Sequence, residues 1–132
     1  MAARPQTDMP TDGELEILKV LWERGPSTVR EVLRELNKSR ERAYTSVMTM
    51  MNLMYDKQLL QREQKGRAFV YRPASAQRTV LSELVEHLVG KAFDGSASSL
   101  VTALLNKEKL SPEEAEKIKR AIIKFQEEKE LR

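Results

Sequence analysis

The sequence predicts a mainly α-helical protein in two parts: three helices followed by a β-hairpin, and then three further helices. The spacing of apolar residues is one observation that predicts this order. It is helical up to Lys57, alternates as in a strand up to Pro73, and is helical again from Ser75 onward. The charge distribution is a second observation, and it supports the division into two parts. Residues 1–74 carry 13 basic and 10 acidic residues, whereas residues 75–132 carry 10 of each.

Length and composition limit the class of protein. With 132 residues, the chain has room for one domain, or for a small domain plus an oligomerisation element. It has no cysteine, which excludes disulfides and thiolate chemistry. It also has no apolar run long enough to span a membrane or to serve as a signal peptide. We therefore expect a cytoplasmic protein without membrane insertion.

Two helices with matching start signals are predicted first. Thr11 and Glu14 have the spacing of a capping box, and Thr28 and Glu31 repeat it. Gly25-Pro26 ends the first helix, because glycine favours a helix C-terminus and proline cannot continue the helix. The apolar positions that follow these signals are Leu15, Leu18, Leu21 and Trp22 in the first helix, and Val29, Val32, Leu33 and Leu36 in the second.

The third predicted helix, between Ala43 and Asp56, has two faces of different character. Its apolar sector consists of Tyr44, Val47, Met48, Met51, Met54 and Tyr55. The opposite side carries Thr45, Ser46, Thr49 and Asn52, which are short and polar rather than charged. Such side chains allow another surface to approach closely, and the floor of a DNA groove is the strongest candidate.

A hairpin with a basic tip is predicted after this helix. Its parts are a strand that opens at Leu59-Leu60, a turn at Gln64-Lys65-Gly66-Arg67, and a returning strand from Ala68 to Pro73. Because an isolated hairpin is only marginally stable, we expect it to pack on the helices through Leu60, Phe69 or Tyr71. Three helices followed by a hairpin predict a winged helix-turn-helix, in which the third helix enters the major groove.

Positive charge is concentrated around the third helix and the hairpin. Residues 38–67 contain seven basic and three acidic residues, which indicates a polyanionic partner, and we expect this partner to be double-stranded DNA. The predicted DNA-binding residues are Arg40, Arg42, Thr45, Ser46, Thr49, Asn52, Arg62, Lys65 and Arg67. The short side chains suit base edges, whereas the long cationic ones suit phosphates or the minor groove.

The three C-terminal helices are predicted to leave a large apolar area uncovered. Asp94-Gly95 separates the first from the second, and Ser111-Pro112 starts the third with an N-cap and a proline at its first position. The predicted interface residues are Leu81, Leu84, Val85, Leu88, Leu104, Ile118, Ile122 and Phe125. We expect a homodimer, and the alternative is that these helices fold back on the winged domain as a monomeric core.

These patterns divide the chain into three regions. Residues 1–10 contain two prolines and no periodicity, and are expected to form a flexible tail. Residues 11–74 are predicted to form the winged-helix DNA-binding domain, and residues 75–132 the helical dimerisation domain.

Three segments resemble the penicillinase and methicillin-resistance repressor family, of the BlaI, MecI and CopY type. They are TDGELEILKVLWERGPSTVREV, AYTSVMTMMNLMYDKQLL and KGRAFVYRP, which match the opening, the recognition helix and the wing of that family. A looser match continues through GKAFDGSASSLVTALL and LSPEEAEKIKRAI. The resemblance implies a dimeric transcriptional repressor that binds an inverted-repeat operator. It also implies recognition-helix roles for Thr45, Ser46, Met48 and Thr49, with Lys65 and Arg67 in the wing.

The resemblance also bears on how DNA is released. In antibiotic-resistance members of that family, a membrane sensor triggers proteolysis of the repressor at an Asn-Phe pair. The corresponding position here is Ala103-Leu104, so we expect that release does not depend on cleavage there. Copper-responsive members carry a C-terminal cysteine cluster, and this chain has no cysteine.

Other functions find little support in the residues. The single histidine, His87, lies between apolar residues on a predicted interface helix, where a general base is hard to place. The methionines at 48, 50, 51 and 54 have helical spacing and indicate core packing rather than a soft-metal site. We therefore predict no enzyme activity, metal or cofactor. A winged-helix protein–protein interaction module is the remaining alternative, but it would need an apolar or acidic outer face on the third helix.

Overall fold

The computed structural model describes residues 9–106 and 110–131, and the predicted tail lies mostly outside them, at residues 1–8. The described residues form six helices and one antiparallel hairpin, which confirms the predicted mainly α fold. The elements are α1 (Asp12–Arg24), α2 (Val29–Leu36), α3 (Tyr44–Asp56), β1 (Leu60–Lys65), β2 (Ala68–Pro73), α4 (Gln77–Ala92), α5 (Ala97–Leu105) and α6 (Pro112–Glu130).

Both predicted capping boxes are present. Thr11 Oγ1 accepts the Glu14 backbone N–H at 3.3 Å, and the Glu14 carboxylate accepts the Thr11 N–H at 3.0 Å. Thr28 and Glu31 repeat this pair of bonds at the start of α2. The Thr28 N–H, together with the nearby Arg24 guanidinium, holds the pKa of Glu31 below its usual value, because both stabilise the ionised carboxylate. These local bonds satisfy N–H groups that a helix start would otherwise leave unpaired.

The hydrophobic core is shared by the first three helices, the hairpin and the start of α4. Its buried members are Ile17, Leu18, Leu21, Val29, Val32, Leu36, Val47, Met51, Met54, Leu59, Leu60, Tyr71 and Val80. Most of them are aliphatic side chains or methionines, in a sequence of which 5% is aromatic. Burial on this scale stabilises a small domain, because each large apolar side chain removed from water contributes roughly 1.5–3 kcal/mol.

The hairpin is fastened to the helices through Tyr71. Its backbone forms an antiparallel bridge with Ser27, with N···O distances of 2.8 and 3.0 Å. Ser27 therefore pairs with β2 at a single residue just before α2. Leu60 and Tyr71 are buried as predicted, but Phe69 keeps 40% of its surface exposed.

The C-terminus of α3 has an unusual residue at a tight turn. Leu59 N–H bonds to Met54 O at 2.8 Å, and Gln58 N–H bonds to Tyr55 O at 3.0 Å. This pair of bonds requires a left-handed residue after the helix, a position usually held by glycine. Gln58 occupies it with φ of 67°, so its side chain is accommodated at an energetic cost.

The first compact unit extends beyond the predicted boundary at residue 74. Trp22 Nε1 donates to Ser75 O at 3.2 Å, Val80 is part of the core, and Leu84 packs against it. The first unit ends at Val85, and the second begins at Glu86. A fragment cut at residue 74 would therefore lose core side chains that belong to the winged unit.

The second unit has no core of its own among its described residues. None of the side chains described between residues 86 and 131 is buried. Its exposed large apolar side chains include Leu88, Leu104, Leu105, Ile122, Ile123 and Phe125. Val101, Leu105, Ala115, Ile118 and Ile122 line an open, mainly apolar groove within this unit.

Replacing Gln58 with glycine should stabilise the winged unit. Glycine adopts the left-handed conformation without the steric cost of a Cβ, so Gln58→Gly is expected to raise the free energy of unfolding by about 1 kcal/mol. Urea denaturation at fixed protein concentration measures this change. Gln61→Gly, in β1, serves as the control and should lower stability, because glycine weakens a strand. A Gln58→Gly protein less stable than the parent would contradict the strain assigned to this turn.

Candidate nucleic-acid interface

Helix α3 buries part of its predicted apolar sector, while Tyr44 and Tyr55 of that sector are exposed. Val47, Met51 and Met54 are fully or almost fully buried against the core, with relative exposures of 4% or less. Because residues three and four positions apart lie on one face of a helix, this stripe directs the other face outward. Thr45, Ser46 and Thr49 are all exposed on that face. Met48 differs, since it is partly buried and packs against the core.

The segment before α3 contains two arginines in different situations. Arg42 is only 11% exposed, and its guanidinium pairs with Glu16 and donates to the backbone carbonyls of Leu36 and Arg40. Arg40 is 68% exposed, with a single distant ion-pair contact of 3.9 Å to Glu16. Arg40 can therefore reach an external anion, whereas Arg42 holds the connector between α2 and α3 onto α1.

A second cation near α3 is also used inside the fold. The Lys57 ammonium lies 2.9 and 3.2 Å from the two carboxylate oxygens of Glu14, which is itself buried. A buried carboxylate needs such a partner, because removing an unpaired charge from water is costly. Lys57 therefore neutralises Glu14, and it is not an available part of the basic surface.

The wing tip presents the remaining basic residues. β1 and β2 pair in register from Leu60 with Pro73 to Lys65 with Ala68. Gly66 takes a left-handed φ of 64°, which closes the hairpin in two residues. Lys65 and Arg67 are exposed on either side of it, and no carboxylate of the described residues forms an ion pair with them.

Asn52 and Arg62 meet where the wing joins α3. Asn52 Oδ1 accepts the Tyr71 hydroxyl at 2.9 Å and an Arg62 N–H at 3.2 Å. The Arg62 guanidinium carbon lies 3.9 Å from the ring centroid of Tyr55 and 4.2 Å from that of Phe69. Both predicted DNA-binding residues are thus occupied by contacts inside the fold.

The structure separates the predicted DNA-binding residues into two groups. Six are exposed around α3 and the wing: Arg40, Thr45, Ser46, Thr49, Lys65 and Arg67. Four make substantial contacts within the chain: Arg42, Met48, Asn52 and Arg62. Sequence reasoning missed the roles of Tyr55 and Tyr71 at this surface. No local signal identifies them, because their partners come from other elements.

Two further kinds of feature, metal-ligand clusters and helices able to span a membrane, are absent from the described part of the chain. No group of three or more His, Cys, Asp or Glu side chains there could hold a metal ion. No helix within residues 9–106 and 110–131 is long and apolar enough to cross a membrane.

Sequence comparison identifies relatives among transcriptional regulators. A family model described as penicillinase repressor matches residues 10–124. The penicillinase repressor of Bacillus licheniformis is 29% identical over 104 residues, covering 79% of this chain and 81% of that protein. The transcriptional regulator BlaI of Mycobacterium tuberculosis is 30% identical over 118 residues, covering 86% of this chain and 84% of the relative.

Comparison with solved structures finds proteins with a similar fold. The solution structure of the DNA-binding domain of the repressor BlaI superimposes with a TM-score of 0.50 at 32% identity, covering 58% of this chain and 90% of that one. A MarR family protein from Bacillus stearothermophilus superimposes with a TM-score of 0.51 at 19% identity, covering 90% of this chain and 74% of the other, which bears on the fold alone.

Arg42 and Arg40 should differ in their effect on stability. Arg42→Ala removes the bonds that the guanidinium makes to Glu16 and to the carbonyls of Leu36 and Arg40. It is expected to lower the free energy of unfolding by roughly 1–3 kcal/mol. Arg40→Ala removes an exposed side chain and should change it by less than about 0.5 kcal/mol. Thermal and urea unfolding of both variants test the assignment. Equal stability losses would show that Arg42 has no special structural role.

Proposed function

The chain belongs to the penicillinase repressor family, and on that basis we propose that it is a DNA-binding transcriptional repressor. It acts in the cytoplasm as a homodimer on an inverted-repeat operator. The observation that carries this proposal is the outward face of α3, where Thr45, Ser46 and Thr49 are exposed beside a basic wing tip.

The exposed face of α3 has the chemistry required to read base edges. A hydroxyl can donate to or accept from a base, and a threonine methyl can contact the methyl group of thymine. Its side chains are short, so the helix axis can approach the groove floor. An interaction module would instead present an apolar or acidic face. Apart from Tyr44 and Tyr55, the exposed large apolar side chain of α3 is Leu53, which lies near the C-terminal end of the helix.

The exposed cations supply affinity rather than sequence preference. Arg40, Lys65 and Arg67 flank the α3 face and carry flexible positive charge. Contacts to phosphates release condensed counterions, so they stabilise binding to any DNA sequence and make it dependent on salt. This division gives the α3 hydroxyls the reading role and the cations the docking role.

The uncovered side chains of the second unit support the homodimer. Helices whose described side chains include none that is buried gain little from packing on one another alone. A second copy supplies an apolar surface of the same character, and burying each leucine-sized side chain there contributes roughly 1.5–3 kcal/mol. Of the predicted interface residues, Leu84 also packs inside the first unit, so the most accessible are Leu81, Val85, Leu88, Leu104, Ile122 and Phe125.

Regulation through cleavage at Ala103-Leu104 is not part of the proposal. Both residues lie within α5, close to its C-terminal end, and Leu104 is among the exposed apolar side chains. Their expected task is subunit packing, so a signal from a membrane sensor or protease would have to act elsewhere on the dimer. That DNA release does not depend on cleavage at Ala103-Leu104 stays a prediction.

The reading and docking roles can be separated by two substitutions. Thr49→Ala should change the preferred operator sequence while leaving the salt dependence of binding unaltered. Lys65→Ala should weaken specific and non-specific binding alike and reduce the slope of log affinity against log salt by about 0.9, the value for one phosphate contact. Fluorescence anisotropy titrations at several salt concentrations measure both effects. Unchanged sequence preference in a Thr49→Ala protein that still binds would remove Thr49 from the reading set.

Dimerisation can be tested with a charge in α4. Leu88→Asp would bury an unpaired carboxylate in the interface, so the variant should be monomeric and lose most operator affinity. Its first unit should remain folded, because Leu88 lies beyond Val85, where that unit ends. Ser82→Asp, also exposed on α4, is the matched control and should stay dimeric. Sedimentation velocity and circular dichroism give the two readouts, and a dimeric Leu88→Asp protein would refute the assigned interface.

A further inference from the structure

Three side chains from three elements converge at the junction of the wing and α3. Arg62 comes from β1, Phe69 from β2 and Tyr55 from α3. The guanidinium carbon of Arg62 lies 3.9 Å from the Tyr55 ring centroid and 4.2 Å from the Phe69 ring centroid. Both distances are well within the range in which a cation is attracted to the face of an aromatic ring.

Hydrogen bonds complete this junction. Arg62 Nη1 donates to Asn52 Oδ1 at 3.2 Å, and the same oxygen accepts the Tyr71 hydroxyl at 2.9 Å. Tyr71 lies directly opposite Arg62 in the hairpin register, and its ring meets Phe69 edge to face at 6.4 Å between centroids. The aromatic contacts and the amide therefore hold the guanidinium from both the helix and the strands.

The environment of Arg62 differs from that of a cation held for phosphate contact. It is partly buried, unlike Lys65 and Arg67. No carboxylate among the described residues pairs with it, so the aromatic rings and the Asn52 oxygen are its partners. A planar guanidinium can stack on rings and donate at its edge at once, which a lysine ammonium cannot do.

We propose that Arg62 is a positioning residue of the DNA-binding surface. Its contacts with Tyr55, Phe69 and Asn52 fix the direction in which the wing leaves α3, and thereby the position of the basic tip relative to the reading face. This inference rests on the proposed function and replaces the role predicted for Arg62 from sequence, a direct contact with DNA.

The geometry of the hairpin explains why its attachment to α3 through Arg62 matters. The tip residues Lys65 and Arg67 lie at the end of the hairpin farthest from the buried anchor residues Leu60 and Tyr71. A small rotation of the strands about that anchor displaces the tip by a larger distance. Arg62 lies opposite Tyr71 in the register, and its guanidinium contacts both Tyr55 of α3 and Phe69, which is two positions nearer to the tip. The attachment to α3 thereby extends beyond the anchor toward the tip and limits this rotation.

The salt dependence of DNA affinity distinguishes a positioning role of Arg62 from a direct phosphate contact. Arg62→Met keeps an unbranched stem of similar volume but removes the guanidinium. We expect it to lower specific affinity by about tenfold, the effect of losing a partly desolvated cation–aromatic contact, with the slope of log affinity against log salt unchanged. Arg62→Lys should recover only a small part of the loss. A slope reduced by about 0.9 in Arg62→Met would instead identify a phosphate contact and overturn the proposal.

The aromatic partner provides a second variant. Phe69→Leu keeps an apolar side chain but removes the ring, and should reproduce the loss seen in Arg62→Met. The double variant should lose little more than either single one, because both remove the same interaction. Fully additive losses would show that Arg62 and Phe69 act independently, contrary to the proposal. Arg72→Met is the matched control on β2, since Arg72 is exposed and bonds to Gln61 on the neighbouring strand.

A measurement on the free protein distinguishes this inference from the proposed function. Backbone ¹⁵N relaxation of residues 60–73 should show greater mobility near the wing tip in Arg62→Met and Phe69→Leu, but not in Arg72→Met, with α1–α3 unchanged. Unaltered wing dynamics would overturn the positioning role, even if the chain binds its operator. If the parent chain bound no DNA, the proposed function would fail, and increased wing mobility would still support the attachment of the wing to α3 by Arg62.

Discussion

The burial of Val47, Met51 and Met54 is the constraint on which the interface depends. These side chains pack into the core formed with α1 and α2, so α3 has one permitted rotation about its axis. A change of rotation would expose the buried stripe, at a cost of several kcal/mol. The hydroxyls of Thr45, Ser46 and Thr49 therefore face outward because the methionines and the valine face inward. The exposed polar face of α3 is a consequence of core packing rather than a separate feature added to it.

The wing depends on the same helix through polar and aromatic contacts. Tyr71 joins β2 to the Ser27 backbone on one side and to Asn52 of α3 on the other. Arg62 adds a second connection through Tyr55 and Phe69. Arg42 and Lys57 are likewise used inside the fold, where they pair with Glu16 and Glu14. Arg40, Lys65 and Arg67 remain exposed near α3 and at the wing tip.

The features predicted correctly from sequence are those decided by neighbours along the chain. The capping boxes join residues three positions apart, and the helical and strand periods depend only on local spacing. The roles of Arg42 and Asn52 depend on partners 26 and 19 positions away, which no local pattern reveals. The packing of Val80, which lies on α4, into the core of the first unit also depends on residues far away along the chain. Composition predicted where positive charge concentrates, but not which cations remain free.

Selection of bound sequences from a random DNA pool tests the central claim most directly. A dimer that reads DNA through two copies of α3 should enrich two similar half-sites in inverted orientation, with centres about one helical turn or a whole number of turns apart. Mapping protection on an enriched sequence should place both half-sites on one side of the duplex. Enrichment of no sequence, or of a single half-site without an inverted copy, would contradict a dimeric repressor that recognises its operator through α3.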